Sequence, residues 1–405
     1  MNQPILSIDV SKSTSFAASF ITQGQPFKKP ISFDNSITGM NSALKLVKNL
    51  EQKSKQRPKI ILEATGNFSK PIKDFFQNQN YKVIELNPIQ THSQKRTTIR
   101  KVKTDPIDAN RIAHVYYSNK INSKPQIPKI PEHTLELRNL CRQYDKFTKS
   151  YRSMKLSFGS IIDLLFPKFD SVFTNICCKT ALNIISHFPT PESILSADKN
   201  RLKSLMEISN HNDIWIENKI DKLMAAARES LSFKVAQQSN IQVLKHYTKM
   251  LLTYQEVLAD LRAQIKKTAE LSSAFPLLLS IPGVGELTAA TIIGEIGCVS
   301  RFPTVKQLVA YSGLDPSVYQ SGRFKASNNK ISKRGSPYLR KALYQATQAA
   351  TRKYKGEPNN QTLYDYYTKK VSAGKHTKVA RIATCSKLLR IIYGMWKNKE
   401  FFRVK

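Results

Sequence analysis

Asp105 and Asp108 stand three residues apart in "VKTDPIDANRIA", directly after the basic run "QKRTTIRKVK", in a chain with 64 Lys+Arg against 29 Asp+Glu. On a helix that spacing puts both carboxylates on nearly one face. Two more acids, Asp9 in "SIDVSK" and Glu63 in "ILEATG", sit at or near the ends of apolar, strand-like stretches. Each has a plain structural explanation. Asp–Pro before a helix is a natural cap, first-turn acids suit the helix dipole, and a strand-end acid can face a turn. Together, however, the order is strand-acid, strand-acid, helix-acid-acid, and one sheet could gather all four. Four convergent carboxylates repel one another unless a hard cation sits among them. Mg²⁺ takes oxygen ligands, and two such ions roughly 3.5–4 Å apart can clamp the attacking and leaving oxygens of a phosphodiester.

The elements that must position these acids are legible nearby. "PILSIDV", "STSFAASFIT" and "PFKKPISFDN" predict three strands in an antiparallel meander. Residues 36–52 have helical spacing (Ile37, Met40, Leu44, Val47) behind a Ser cap. "KIILEATG" follows as a strand, "SKPIKDFFQNQ" as a helix, "YKVIELNP" as a strand and "DPIDANRIAHVYY" as a helix. That order predicts a mixed α/β sheet with helices on its faces, the order of a ribonuclease-H-like fold. Residues 132–166 are largely helical. Leu244, Leu251, Leu258 and Ile265 fill one heptad position, and Tyr247, Tyr254, Leu261 and Thr268 another, predicting a coiled coil or long antiparallel helix pair over 244–268. From Phe275, "FPLLLSIPGVGELTAATIIGEIG" reads as a helix end, a glycine turn and a second helix, a helix-hairpin-helix in which Gly283 and Gly285 free backbone N–H groups to face a phosphate. The same pattern also fits a purely structural αα-hairpin.

At 405 residues the chain predicts two or three domains. Its 40% hydrophobic content excludes a disordered polycation. A net charge of +35 calls for a polyanionic partner, nucleic acid first, because each neutralised phosphate releases a counterion. Residues 321–405 hold 21 Lys+Arg against 3 Asp+Glu, a net of +18, interleaved with Tyr338, Tyr344, Tyr354, Tyr364, Tyr366, Tyr367 and Trp396. Aromatics among cations suit contact with sugar, base and phosphate together. The five cysteines lack metal-ligand spacing and read as buried thiols in a reducing compartment. No signal-like start and no run of transmembrane length is present, so a soluble, cytosolic protein with no membrane partner is expected.

The Asp9, Glu63 and Asp105–Asp108 motifs, with "FPTVKQLVAYSGLDPSVYQSGRFKASNNKISKRGSPYLRKALYQA" in the second half, resemble the DEDD transposases of the "one-ten" insertion-sequence family, relatives of Piv-type DNA invertases. The resemblance covers roughly residues 1–130 and 270–395. It implies an α/β plus α protein: a RuvC-like, ribonuclease-H-like DEDD domain over 1–130, a helical coiled-coil linker and oligomerisation region over 131–270, and a mainly helical transposase domain over 271–405. It also implies a metal site at Asp9, Glu63, Asp105 and Asp108 holding Mg²⁺, two ions per site. A serine nucleophile forms a covalent phosphoserine link to DNA, and a structured non-coding guide (bridge) RNA chooses element-end and target DNA. The resemblance further implies a homo-oligomer, a dimer of dimers, in the bacterial cytoplasm at the nucleoid.

The family's nucleophile lies in a Tyr-x-Ser-Gly turn, here "VYQSG", which assigns Ser321. Arg323, Lys325, Lys330, Lys333 and Arg334 could neutralise the phosphorane charge, and Arg340 joins them as an expected nucleic-acid contact. Ser332, in "ISKRG", is the other candidate, and side-chain chemistry alone does not choose between them. The alternative function is a site-specific invertase or a junction resolvase that uses water as nucleophile. The stretch from about 165 to 240 is long for the family.

Overall fold

Strand β1 (Ile5–Val10) is buried along nearly its whole length, and no face of it is left for water. The reason lies in its neighbours. It pairs antiparallel with β2 (Thr14–Thr22), which pairs antiparallel with β3 (Gln25–Asp34). On its other side it pairs parallel with β4 (Lys59–Glu63), which pairs parallel with β5 (Val83–Leu86). The sheet order is β3-β2-β1-β4-β5. The computed structural model describes residues 3–64, 66–86, 105–118, 128, 130–208, 211–317, 320–321, 324–325 and 330–403.

Helices cover both faces of this sheet. Leu6, Ile8, Val10, Ile60 and Leu62 pack against α1 (Ile37–Ser54) and α2 (Ser69–Asn78) through Val47, Ile72 and Phe76. Ile5 and Ile61, on the opposite face, pack against Ile112, Ala113 and Tyr116 of α3 (Asp105–Ser118). Strands sealed on both sides need apolar residues at successive positions, which is why "PILSIDV" and "KIILE" lack a clean alternation. Ser36 caps α1 as its sequence predicts, its side chain accepting from the Gly39 N–H at 3.2 Å.

The chain divides into two units, Met1–Gln126 and Ile127–Lys405. The second is helical and is built on two long helices, α4 (Glu132–Leu165) and α10 (Gln237–Ala269). They run antiparallel. Leu137 and Cys141 near the start of α4 share one core with Ile265 and Ala269 at the end of α10. Phe158 and Ile162 at the other end share a second core with Leu244 and Leu251. Of the predicted heptad residues, Leu244, Leu251 and Ile265 are buried and Leu258 is half-buried. Between the cores Tyr254 packs on Phe147 and Tyr151, with ring centroids 6.2 and 6.3 Å apart. An antiparallel intrachain pair is thus what the periodicity encodes.

The long stretch after residue 165 folds into five short helices, α5 (Phe169–Val172), α6 (Lys179–His187), α7 (Pro191–Leu195), α8 (Lys199–Met206) and α9 (Asp213–Glu229). They enclose the second core together with the ends of the helix pair. The first core gathers α11 (Ala274–Leu279), α12 (Glu286–Ile296), α13 (Val305–Ser312), α14 (Pro337–Ala350), α15 (Gln361–Ser372) and α16 (Thr377–Asn398). Cys141 and Cys385 are buried in it, and burial pushes their thiols up to about 12 and about 11. Cys178 and Cys298 are only half-buried, a departure from the expectation that all five cysteines are interior.

Glu295 is the charged centre of the first core, with 1% of its surface exposed. Arg142 grips it bidentately at 2.6 and 2.9 Å, and Ser336 Oγ donates to it at 2.8 Å. Arg138 and Tyr311 donate to its backbone carbonyl at 3.3 and 3.0 Å. The Glu295 carboxylate holds the Arg142 guanidinium above its usual range, outweighing the opposing effect of burial. Replacing one partner of such a pair leaves a charge uncompensated, at a cost of about 3–5 kcal/mol. Because Arg142 keeps 40% of its side-chain surface exposed, Glu295→Ala is expected to cost about 3 kcal/mol, the lower end. Urea denaturation measures it. An unchanged midpoint would show that the core does not depend on this carboxylate.

Candidate nucleic-acid site

The acids of the N-terminal unit are positioned by three elements. Asp9 is the penultimate residue of β1 and pairs with Phe16 of β2; Glu63 ends β4 and pairs with Leu86 of β5. The parallel register Ile8↔Leu62 makes Asp9 and Glu63 the next residues on adjacent strands. Side chains alternate along a strand. Ile8 and Leu62 face α1 and α2, so Asp9 and Glu63 belong to the α3 face.

Helix α3 runs antiparallel to β1. Ser7 Oγ donates to the Ala109 carbonyl at 2.8 Å, and Tyr117 at the helix's far end donates to the Gln3 carbonyl at 2.8 Å. Four residues back from Ala109 is about 6 Å of helix. Two residues on from Ser7 is about 6.6 Å of strand. The first turn of α3, with Asp105 and Asp108, therefore lies at the end of the sheet where Asp9 and Glu63 stand. All four residues share one face and one end.

Asp108 is 7% exposed, and Arg111 Nη1 holds its Oδ1 at 2.7 Å. Asp9 and Glu63 are half-buried. The Asp105 side chain lies outside the described residues. Among the described residues, no three His, Cys, Asp or Glu side chains cluster closely enough to hold a metal ion. The donor chemistry nevertheless suits one: these acids supply carboxylate oxygens alone, as hard divalent ions take. A guanidinium already supplies the positive charge that buried Asp108 requires.

In the helical unit the basic loop between α13 and α14 is a hairpin. Its base is zipped by Lys333 N to Gly313 O (3.1 Å), Ser332 N to Asp315 O (2.8 Å) and Ser317 N to Lys330 O (2.8 Å), with Pro316 bridging Ile331. Beyond lie β6 (Gln320–Ser321) and β7 (Phe324–Lys325), in the register Ser321↔Phe324. Ser321 is thus the last strand residue before the Gly322–Arg323 connection, which lies outside the described residues, as do the side chains of Ser321 and Lys325. Lys330, Lys333 and Arg334 are exposed. Ser332 has a different environment: its Oγ donates to Asp315 Oδ1 at 2.6 Å, at the hairpin's base.

Two of the expected nucleic-acid contacts, Arg340 and Gly283, have packing roles within the chain. Arg340 Nη1 donates to the carbonyls of Ser312, Gly335 and Ser336 at 3.0, 3.0 and 3.4 Å, which fixes the hairpin base to α14. Gly283 has φ +97°, and a Cβ there would stand 2.6 Å from the Ala350 Cα, so close helix packing requires the glycine. Gly285 is the N-cap of α12, with open space around it, but Glu286 in the first turn already faces the dipole and pairs with Lys266 at 2.6 Å. Many of the C-terminal aromatics are likewise engaged by the chain's own cations. Arg381 lies 5.4 Å from the Tyr367 ring and 5.8 Å from Tyr344, Lys353 5.0 Å from Tyr364, and Arg142 4.9 Å from Tyr338.

Sequence reasoning missed Glu295 and the Asp315–Ser332 pair. Glu295 had a signal, a lone acid inside the apolar run "IIGEIG". Asp315 and Ser332 are 17 residues apart and carry none.

Residues 6–167 match the DEDD transposase domain of the IS110 type, and residues 276–367 match the transposase domain of the IS116/IS110/IS902 family. A transposase for insertion sequence element IS1111A from Coxiella burnetii is 31% identical over 38% of this chain and 41% of its own. An uncharacterized 43.6 kDa protein of insertion element IS110 from Streptomyces coelicolor is 23% identical over 54% of this chain and 52% of its own. A pilin gene-inverting protein from Moraxella bovis is 33% identical over 34% of this chain and 41% of its own. The chain thus spans about half the length, or less, of these relatives. With both of the family's domains present in sequence, more than half the chain between them, the protein belongs to the IS110/IS116 family of transposases.

Proposed function

We propose that the chain is a DNA transposase that breaks and rejoins strands through a divalent-metal carboxylate site and a covalent phosphoserine intermediate. The observation that carries this reading is the convergence of Asp9, Glu63 and the first turn of α3 on one end and one face of the sheet. The sheet order, with helices on both faces, supports a ribonuclease-H-like, RuvC-like domain. Asp9, Glu63, Asp105 and Asp108 would hold Mg²⁺, and the bound ions would polarise phosphoryl oxygens and stabilise charge on the leaving oxygen.

The nucleophile is Ser321. Its hydroxyl oxygen forms a bond to phosphorus as the bridging bond to the neighbouring sugar oxygen breaks, and the hydroxyl proton goes to that sugar oxygen. Attack by another strand's hydroxyl reverses the step and regenerates the serine. Conserving the phosphoester bond in this way requires no external energy source. Lys330, Lys333 and Arg334, exposed beside the hairpin, neutralise the phosphate during attack. Ser332 is the weaker candidate because its hydroxyl is engaged by Asp315 in a bond that zips the hairpin base. Guidance by a structured RNA, work as a homo-oligomer and residence at the nucleoid belong to the proposal by resemblance. So does the division into a catalytic domain over 1–130, a linker and oligomerisation region over 131–270 and a serine-bearing domain over 271–405. The charge of +35 supports polyanionic partners. No helix among the described residues is long and apolar enough to cross a membrane. A second reading, inversion of a DNA segment, has support from the likeness to a pilin gene-inverting protein. It uses the same chemistry on different DNA.

Ser321→Ala is expected to lower strand transfer at least about a thousandfold, with loss of the covalent protein–DNA band on a denaturing gel and retained DNA binding. Persistent nicking by this variant would establish water as the nucleophile. Asp108→Asn and excess chelator are each expected to reduce transfer about a hundredfold or more, the loss of several kcal/mol of transition-state stabilisation. Full activity in chelator would exclude the metal site. Binding to duplex DNA should weaken with salt, with a log–log slope of about −0.9 per phosphate contact; a flat dependence would remove the basic segment as the binding surface.

A further inference from the structure

The N-terminal unit has a cavity of about 500 Å³ away from the acids, between the β2–β3 hairpin and the flank of α3 that carries Asn110, Ala113, His114 and Tyr117. Its floor is apolar. Phe20 and Tyr117 meet edge to face with ring centroids 6.5 Å apart, beside Ala113. Lys28 and Lys29 on β3, and Asn110 and His114 on α3, line it with exposed side chains, and Phe27 forms part of the wall. No acid lines it.

Its place in the sheet separates it from the carboxylates. Phe20 pairs with Ile5, and Tyr117 donates to the Gln3 carbonyl, so the cavity lies by the start of β1. Asp9 pairs with Phe16. Four strand residues, about 13 Å, lie between the two levels on the same face of the sheet. A further β-strand is a poor occupant. β3 is the edge strand, and Pro26 and Pro30 remove two of its N–H donors while Lys28 and Lys29 add charge, the usual devices against strand addition. Aromatic rings for stacking, cations for an anion, and amide and imidazole groups for polar edges together describe the recognition of an unpaired nucleotide. The volume lies within the range of sites that bury one small ligand.

We propose that this cavity binds one unpaired nucleotide of a single strand, its base stacked on Phe27 over the Phe20–Tyr117 floor and its phosphate against Lys28 and Lys29. The proposal rests on the reading of the chain as a nucleic-acid enzyme. The site is a second hold on a strand, distinct from the carboxylate end. DNA and RNA share the chemistry.

Photo-crosslinking tests it, with two 12-nucleotide probes, one of DNA bearing 5-iododeoxyuridine and one of RNA bearing 5-iodouridine. Adducts at Phe27, His114 or Tyr117, located by mass spectrometry, are the expected result. The probe that yields them identifies whether the strand is DNA or RNA. Lys28→Ala/Lys29→Ala, two exposed positions, should lower that adduct yield at least about fivefold, and Phe27→Ala about five- to a hundredfold, the loss of one stacked base. His114→Ala, on the exposed face of α3, guards against misfolding and should also lower it. Probes that bind the protein but crosslink only elsewhere overturn the cavity and leave the enzyme reading intact. Probes that do not bind at all overturn both.

Discussion

Helix α3 can lie on the sheet in only one direction, and the chemistry proposed for this protein depends on that direction. The Ser7–Ala109 and Tyr117–Gln3 hydrogen bonds fix it at two points, and Ile112, Ala113 and Tyr116 seal the interval with apolar contact. Had α3 run parallel to β1, its first-turn acids would stand at the opposite end of the strand from Asp9. The anchor is a buried serine hydroxyl. The Ala18 carbonyl of β2 lies 3.2 Å from the same hydroxyl, whose single proton the two carbonyls share, so Ser7 sits at the junction of α3 with β1 and β2. A buried polar group that finds its partners specifies a single arrangement, because any shifted one leaves it unsatisfied.

The helical unit solves a similar problem with charge. Glu295, on α12, sits where α4 and the cap of α14 meet that helix, and each of those two contributes a donor to its carboxylate. Ser336 takes part twice, donating to Glu295 and accepting from the Leu339 N–H as the α14 cap. Gly335 precedes it because a Cβ there would stand 1.9 Å from the Tyr311 carbonyl. Hairpin base, helix cap and buried carboxylate therefore form one rigid joint. The strand that ends in Ser321 is held from this joint through the Asp315–Ser332 and Ser317–Lys330 bonds.

Much of the N-terminal fold was legible because short-range rules decided it. Asp–Pro starts a helix, "KIILE" and "PILSIDV" are too apolar to be anything but interior strands, and the order of elements fixes which face each helix can cover. The heptad at 244–268 was legible as a long pair, but its partner was not, since a periodicity records a buried stripe and not what buries it. Residues 166–236 were opaque. Their five helices are short, and the core they close draws on one end of the helix pair, the last turns of α4 and the first turns of α10, which are far apart in sequence. The packing roles of Arg340 and Gly283 were not legible: carbonyls at 3.0 Å and a neighbouring Cα set them. Only tertiary proximity carries that information.

The antiparallel pair α4–α10 is also a spacer. At 1.5 Å per residue, the 34 residues of α4 span about 51 Å. The five-helix lobe at one end, residues 166–236, has 9 Lys+Arg and 8 Asp+Glu, whereas residues 330–403, which supply much of the core at the other end, have 18 Lys+Arg and 3 Asp+Glu. Charge distributed in this way gives the helical unit a large electric dipole moment. In the field of a polyanion it experiences a torque as well as an attraction, and diffusional encounters are biased toward the orientation that brings the cationic pole first.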